Sequence, residues 1–221
     1  MLGADANPIS PDKTVRAKAV DVLKWNIDRT FDCGASLLCG PFHSAFATFT
    51  RADIHQDEYE RSAEVLRAAG DHAREAGVVL LPEALNRFEC YLCNTMAQLR
   101  QLIELVDHPN VRAMFDTHHA NIEEKSQVEA IKTIAPVLAH VHLSENDRST
   151  PGSGHIDFRE AIATLREAGY DGWMTVEAFS RADPAFANAI NVWREFSPDW
   201  DVAERGHAFL RQELAAAGYP S

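Results

Sequence analysis

Four short apolar runs in this chain lead into residue types that bind hard cations. Val78–Leu81 reaches Glu83 through Pro82, Arg112–Phe115 leads into Asp116, Leu138–Val141 into His142, and Trp173–Val176 into Glu177. One acidic residue after a strand is ordinarily a loop residue or the N-cap of the next helix. Four ligand types in successive runs need a common explanation. In a parallel sheet the carboxyl ends of the strands share one edge, and barrel and open-sheet enzymes place their sites there. Three carboxylates and one imidazole form an oxygen-rich set that suits Mn²⁺, Co²⁺ or Mg²⁺, whereas structural zinc favours thiolates. Other histidines compete for the role. His140 points to the same side of its strand as His142 but one layer deeper, where a hydrogen-bonded core histidine is the expectation. His118 and His119 both follow Asp116, and spacing alone does not rank them.

The elements that must position these residues alternate between helical periodicity and strand-length apolar runs. The interval is roughly thirty residues, the size of a βα unit. Helices are expected at 12–32, 57–76, 94–107, 126–135, 157–168 and 200–216, and strands at Ser36–Cys39, Val78–Leu81, Arg112–Phe115, Val137–Val141 and Trp173–Val176. The helix 157–168 carries its own punctuation. Asp157 is an N-cap, Phe158, Ile162 and Leu165 recur on one face, and Gly169 stands where a left-handed residue ends a helix. Gly77 closes 57–76 in the same way. The stripe Met96, Leu99, Ile103, Val106 reads as core packing. Continuous apolar runs between helices are what a parallel sheet covered on both faces produces, so the class is α/β.

Composition bounds the function. At 221 residues and 46% hydrophobic side chains the chain supports one substantial core, expected as a single domain over 1–221. Acidic residues outnumber basic ones by 33 to 21, and a net charge of −12 repels a phosphate backbone, which argues against nucleic acid as a partner. No apolar stretch is long enough to span a bilayer and the opening residues lack a signal-peptide pattern, so the expectation is a cytoplasmic protein without a membrane partner. Cys90-Tyr91-Leu92-Cys93 has the spacing of a redox or zinc half-site, but a second ligand pair is missing and reduced, buried thiols are the simpler reading. There is no Gly-x-Gly-x-x-Gly opening a helix, no Walker-type loop and no Gly-x-Ser-x-Gly elbow, which weakens dehydrogenase, kinase and serine-hydrolase readings.

Several segments together carry a resemblance. Glu83-Ala84-Leu85-Asn86-Arg87-Phe88-Glu89, Asp116-Thr117-His118-His119-Ala120-Asn121, His142 followed by Arg148, and Gly169-Tyr170-Asp171-Gly172 leading to Glu177 are similar to the D-tagatose 3-epimerase and D-psicose 3-epimerase family of xylose isomerase-like barrels. The resemblance runs from about Pro8 to the C-terminus. It implies a (β/α)8 TIM-barrel type of fold and a cation, Mn²⁺ before Co²⁺ or Mg²⁺, held by Glu83, Asp116, His142 and Glu177. It further implies that Glu83 and Glu177 double as acid and base, and that Glu89, His119 and Arg148 hold a small ketose. His118 stands where similar sequences carry an aromatic residue and would form a pocket wall. The residue types suit this chemistry: a cation acidifies the C3 hydrogen of a ketose and stabilises an enediolate, one carboxylate removes the proton, and a second returns it on the opposite face.

Departures from the family pattern frame the rival readings. The loop 144–155 differs from the commoner family form, and Gly152-Ser153-Gly154 could cradle a phosphate or form a simple turn. Ala178 replaces the proline that usually follows the last glutamate. Asn7-Pro8-Ile9-Ser10-Pro11-Asp12 resembles the family segment after its third strand, which predicts an incomplete barrel of about five βα units with the first three strands absent, and strand edges prone to pairing. Homo-oligomerisation is left open. The rival enzyme is an aldose–ketose or hydroxypyruvate isomerase; a rival of another class is an inactive fragment or a subunit completed by another chain.

Overall fold

The structure is a computed structural model that describes residues 1–198 and 200–220. Five strands alternate with helices: α1 Lys13–Asp32, β1 Leu37–Gly40, α2 Gln56–Ala76, β2 Val79–Pro82, α3 Met96–Val106, β3 Ala113–Asp116, α4 Thr117–Glu123, α5 Gln127–Ile134, β4 Leu138–Leu143, α6 Phe158–Glu167, β5 Met174–Val176, α7 Pro184–Ala189 and α8 His207–Ala216. Short 3-10 turns occupy Ala4–Ala6 and Ala135–Val137, and a π-type turn, Val202–Gly206, runs into α8. The strands lie in two sheets, β1-β2 and β3-β4-β5, and do not form a closed barrel among the described residues. β1 and β2 pair in parallel from Leu37 with Val79 to Gly40 with Pro82; β4 and β5 pair with His142 opposite Thr175. No helix among the described residues is long and apolar enough to cross a membrane.

The chain divides into two compact units, Met1–Phe115 with Pro136–His140, and Asp116–Ala135 with Val141–Ser221. In the first unit α1 packs on α2 and α2 on α3. Asp12 caps α1 by accepting from the Thr14 amide at 2.8 Å, and the buried Ala19, Leu23 and Ile27 fall on one face. α2 opens with a reciprocal cap between His55 and Glu58 and ends at Gly77, whose φ of 68° needs no Cβ relief. α3 opens with the equivalent Thr95–Gln98 box. Leu66, Leu80, Leu81, Leu99, Leu102, Met114 and Phe115 are fully enclosed.

In the second unit α5 packs on α6 and α6 on α8. Asp157 caps α6, its carboxylate accepting from the Glu160 amide at 2.9 Å, and Gly169 follows the helix with φ 79°. Phe158, Ile162 and Leu165 are buried as their spacing requires.

The expected elements are present, with instructive differences. α4 and α7 were not anticipated: α4 begins on the residue directly after β3, leaving no loop to mark it, and α7 is only six residues long. Of the expected helix 200–216, only 207–216 is α-helical. β4 extends to Leu143, two residues beyond the expected end, so His142 lies inside the strand. The four cysteines are free, and Cys90 and Cys93 are buried. Burial pushes the Cys90 thiol up to about 12 and raises that of Cys93 as well, so neither supplies a thiolate near neutral pH.

Candidate active site

Three of the expected ligands converge in the second unit. Asp116 ends β3, His142 lies in β4, and Glu177 follows β5 directly. One ligand atom from each lies within 4.8 Å of the others. His142 Nδ1 faces Glu177 Oε2 at 3.5 Å and Asp116 Oδ2 at 3.8 Å. The reason is register: β4 and β5 pair in parallel through His142 and Thr175, so the residues at the ends of adjacent strands emerge along one edge.

Asp116 is the most enclosed of the three. Its Oδ1 accepts from the His118 amide at 2.7 Å, capping α4, and its Oδ2 accepts from Arg148 Nη1 at 2.9 Å. Burial is the largest single influence and works to raise its pKa, but the Arg148 guanidinium, His142, His119 and Glu177 together outweigh it, and the carboxyl is held well below the usual range. Asp116 is therefore ionised at neutral pH and presents a charged oxygen to the centre.

Arg148 ties the group together. Its Nη1 donates to Asp116, to Ser144 Oγ at 2.9 Å and to Glu177 Oε2, and its Nη2 donates to His119 Nε2 at 2.8 Å. A guanidinium only donates, so His119 accepts at Nε2. Burial pushes His119 down to about 3, so the ring is neutral with its proton on Nδ1. The guanidinium also lies over the Phe179 ring at 5.0 Å. Arg148 thus contacts two of the expected ligands themselves, a placement the expectation of a sugar contact did not contain. His118, expected as a pocket wall, is 9% exposed and edge-on to His119 with ring centroids 5.1 Å apart. Its Nδ1 lies 3.1 Å from the Glu145 carbonyl, which can only accept, so Nδ1 carries the proton.

The remaining expected residues belong to the first unit. Glu83 follows β2 directly, is 6% exposed, and its amide donates to the Gly40 carbonyl at 2.9 Å. Glu89 accepts from Asn86 Nδ2 at 2.7 Å. His140 is 6% exposed, as a core histidine would be.

Two features escaped sequence reasoning. Ser144 and Thr117 form a buried brace in which Thr117 Oγ1 donates to the Ser144 carbonyl at 2.7 Å and accepts from the Ser144 amide at 2.8 Å. Glu145, entirely enclosed, directs its carboxylate at the amides of Gly152 and Ile156, each at 3.0 Å. A glutamate two residues beyond the end of β4 was the available signal, but its partners lie in the following loop.

The donor set fits a divalent cation: two carboxylates and an imidazole nitrogen, hard and borderline donors without a thiolate among them. The family profile described as "Xylose isomerase-like TIM barrel" matches residues 2–213. The chain belongs to this family. Several of its relatives are named as epimerases. Over 195 residues it is 35% identical to a D-psicose 3-epimerase of Ruminiclostridium cellulolyticum, covering 88% of this chain and 67% of that one. Over 214 residues it is 30% identical to an L-ribulose 3-epimerase of Methylomonas sp., covering 96% and 74%. A solved structure of an L-ribulose 3-epimerase matches with a TM-score of 0.91 at 33% identity, over 98% of this chain and 73% of that one. This family member therefore ranks with the sugar epimerases, and its fold is that of the xylose isomerase-like barrels.

Proposed function

We propose that the chain is a divalent-cation-dependent ketose 3-epimerase. The observation that carries this reading is the convergence of the Asp116 and Glu177 carboxylates on the His142 imidazole along one strand edge. Relatives named for epimerisation of psicose and ribulose at C3 support the reaction class. Asp116, His142 and Glu177 would hold the cation, Mn²⁺ before Co²⁺ or Mg²⁺, with Glu83 as fourth ligand on the strength of its position directly after β2. Once bound, the cation supplies Lewis-acid stabilisation of the negative charge that develops on the ketose oxygens.

The chain's own residues move the proton. One glutamate, Glu177 or Glu83 according to the epimer, takes the C3 proton; the C–H electron pair forms the C2–C3 double bond of an enediolate. As that double bond forms, the C2=O pair moves onto its oxygen; the other glutamate, protonated, then gives a proton to the opposite face of C3, the C2–C3 pair forms the new C3–H bond, and the oxygen pair re-forms the C2 carbonyl. Glu89, His119 and Arg148 would orient the sugar hydroxyls, His119 as a neutral ring and Arg148 as a fixed cation.

The test is solvent exchange. Incubation of free ketoses in D₂O with Mn²⁺-loaded protein should place deuterium on C3 of product and, through reversal, of recovered substrate, as read by proton NMR. Label confined to C1 or C2 would instead assign an aldose–ketose isomerase, and no exchange by protein that binds the metal would assign an inactive chain.

A further inference from the structure

The loop after β4 is wound around a buried carboxylate that takes no part in the proposed chemistry. Glu145 is 0% exposed. Its Oε1 accepts from the amides of Asn146 and Ile156, both at 3.0 Å, and its Oε2 from the amide of Gly152, also at 3.0 Å. Three backbone donors thus converge on one carboxylate and fold the segment 152–156 back over 145–148. The Glu145 carbonyl closes the inner turn, accepting from the Arg148 amide at 3.1 Å. Arg148 itself sits at φ 65°, a left-handed conformation that a non-glycine residue keeps only where its surroundings impose it. On its far side the Arg148 carbonyl accepts from the Phe179 amide at 2.8 Å.

Gly154 shows how closely the loop fits. A Cβ there would lie 2.1 Å from Asn146 Oδ1 and 2.6 Å from Glu145 Oε1. Both are side-chain ends, but both are committed: Asn146 Oδ1 accepts from the His155 amide at 3.0 Å, and Glu145 Oε1 already accepts from two amides. Neither can yield without breaking those bonds. The Gly152-Ser153-Gly154 turn therefore has its anion inside the chain, with the Gly152 amide spent on Glu145 rather than turned toward a phosphate.

We propose that Glu145 is a positioning residue for the proposed site: through its three amide bonds it holds the 145–148 turn in the shape that sets the Arg148 guanidinium against Asp116, Glu177 and His119. The role rests on the epimerase reading only where turnover is the readout; the placement of Arg148 is measured without substrate.

The experiment compares Glu145→Gln and Gly154→Ala with the parent protein. Gln keeps the volume but turns an amide donor toward backbone donors; Ala at 154 leaves the Glu145 charge intact and displaces it sterically. In ¹⁵N-arginine-labelled protein, Arg148→Lys identifies the Arg148 side-chain resonance. That resonance should shift or broaden in both variants while the backbone amides of the arginines within residues 1–115 stay unchanged. With ketose, kcat/KM should fall about tenfold to a hundredfold in either variant, the range seen when groups supporting a site are lost. In the Arg148→Lys background Glu145→Gln should cost less than about twofold more, because residues acting through one group are not additive. An unmoved Arg148 resonance, or the same fold-loss in both backgrounds, overturns the proposal. Should the parent protein turn over no ketose at all, the epimerase reading fails by itself and the resonance still decides the role of Glu145.

Discussion

β3 and β5 each deliver a carboxylate to the same centre, but under opposite conditions. All four residues of β3 are buried, the Asp116 side chain is wholly enclosed, and each of its oxygens has a hydrogen-bond donor. β5 is three residues long, half-buried to exposed along its length, and lies at the edge of the β3-β4-β5 sheet. The Glu177 side chain is 27% exposed. A carboxylate fixed from both sides is suited to anchoring a cation. Glu177, whose Oε2 accepts from Arg148, keeps a side that solvent reaches and with it the freedom to meet a substrate that an acid or base needs. On the proposed epimerase reading the two strands would divide the labour of one ligand set.

The largest test of this contrast is in the strands themselves. Phe115 is fully enclosed beside Asp116, and Phe115→Ala should destabilise the protein by about 3–5 kcal/mol in urea unfolding. Met174→Ala, on the half-buried β5, should cost about 1 kcal/mol. Equal losses would mean that β5 is packed as firmly as β3. Next comes the anchor. Asp116→Asn keeps the shape but removes the charge, and Mn²⁺ affinity by calorimetry should fall about 100-fold, roughly 2.7 kcal/mol.

Glu177→Gln should be milder for the metal and severe for the chemistry. Loss of one solvent-accessible ligand should weaken Mn²⁺ about tenfold, roughly 1.4 kcal/mol. Full inversion should stop, yet C3 deuterium washout from one epimer should persist, since the remaining carboxylate still serves its own face. If Glu177→Gln and Asp116→Asn lower Mn²⁺ affinity equally, the anchor and the proton carrier are not separate.

What the sequence made legible follows the range of the forces involved. α6 could be read because its signals are local: the Asp157 cap, the apolar face through Phe158, Ile162 and Leu165, and Gly169 beyond its end all sit within one element. The strands could be read as apolar runs, though their ends shifted by one or two residues, because pairing extends a strand past its apolar stretch, as in β4 through His142 to Leu143. α4 was hidden because Asp116 serves as strand end and N-cap at once. At the site, Asp116, His142 and Glu177 announced themselves by recurring after apolar runs. Glu145 did not, because its meaning lies in the amides of Gly152 and Ile156. The left-handed backbone of Arg148 likewise has no residue-type signature, arginine being a residue that rarely adopts it.

The smallest expected effect is at the outer face of β5. Trp173, at the start of this edge, is 76% exposed, so its ring gains little from the folded state. Its backbone is held instead: the Tyr170 hydroxyl donates to the Trp173 carbonyl at 2.6 Å, and the Trp173 carbonyl also accepts from the Val141 amide at 3.3 Å. Trp173→Gln should therefore change stability by less than about 0.5 kcal/mol, the range for surface substitutions. Tyr170→Phe, which removes a hydrogen bond from the same carbonyl, should cost about 1 kcal/mol. The pair asks whether β5 is fixed by its backbone or by what covers its side chains. Urea midpoints measured across a hundredfold range of protein concentration supply the answer. A loss of 2 kcal/mol or more in Trp173→Gln that grows with protein concentration would mean that the indole is covered by a second chain in solution. The solvated edge would then be an interface, and the freedom assigned to Glu177 would have to come from elsewhere.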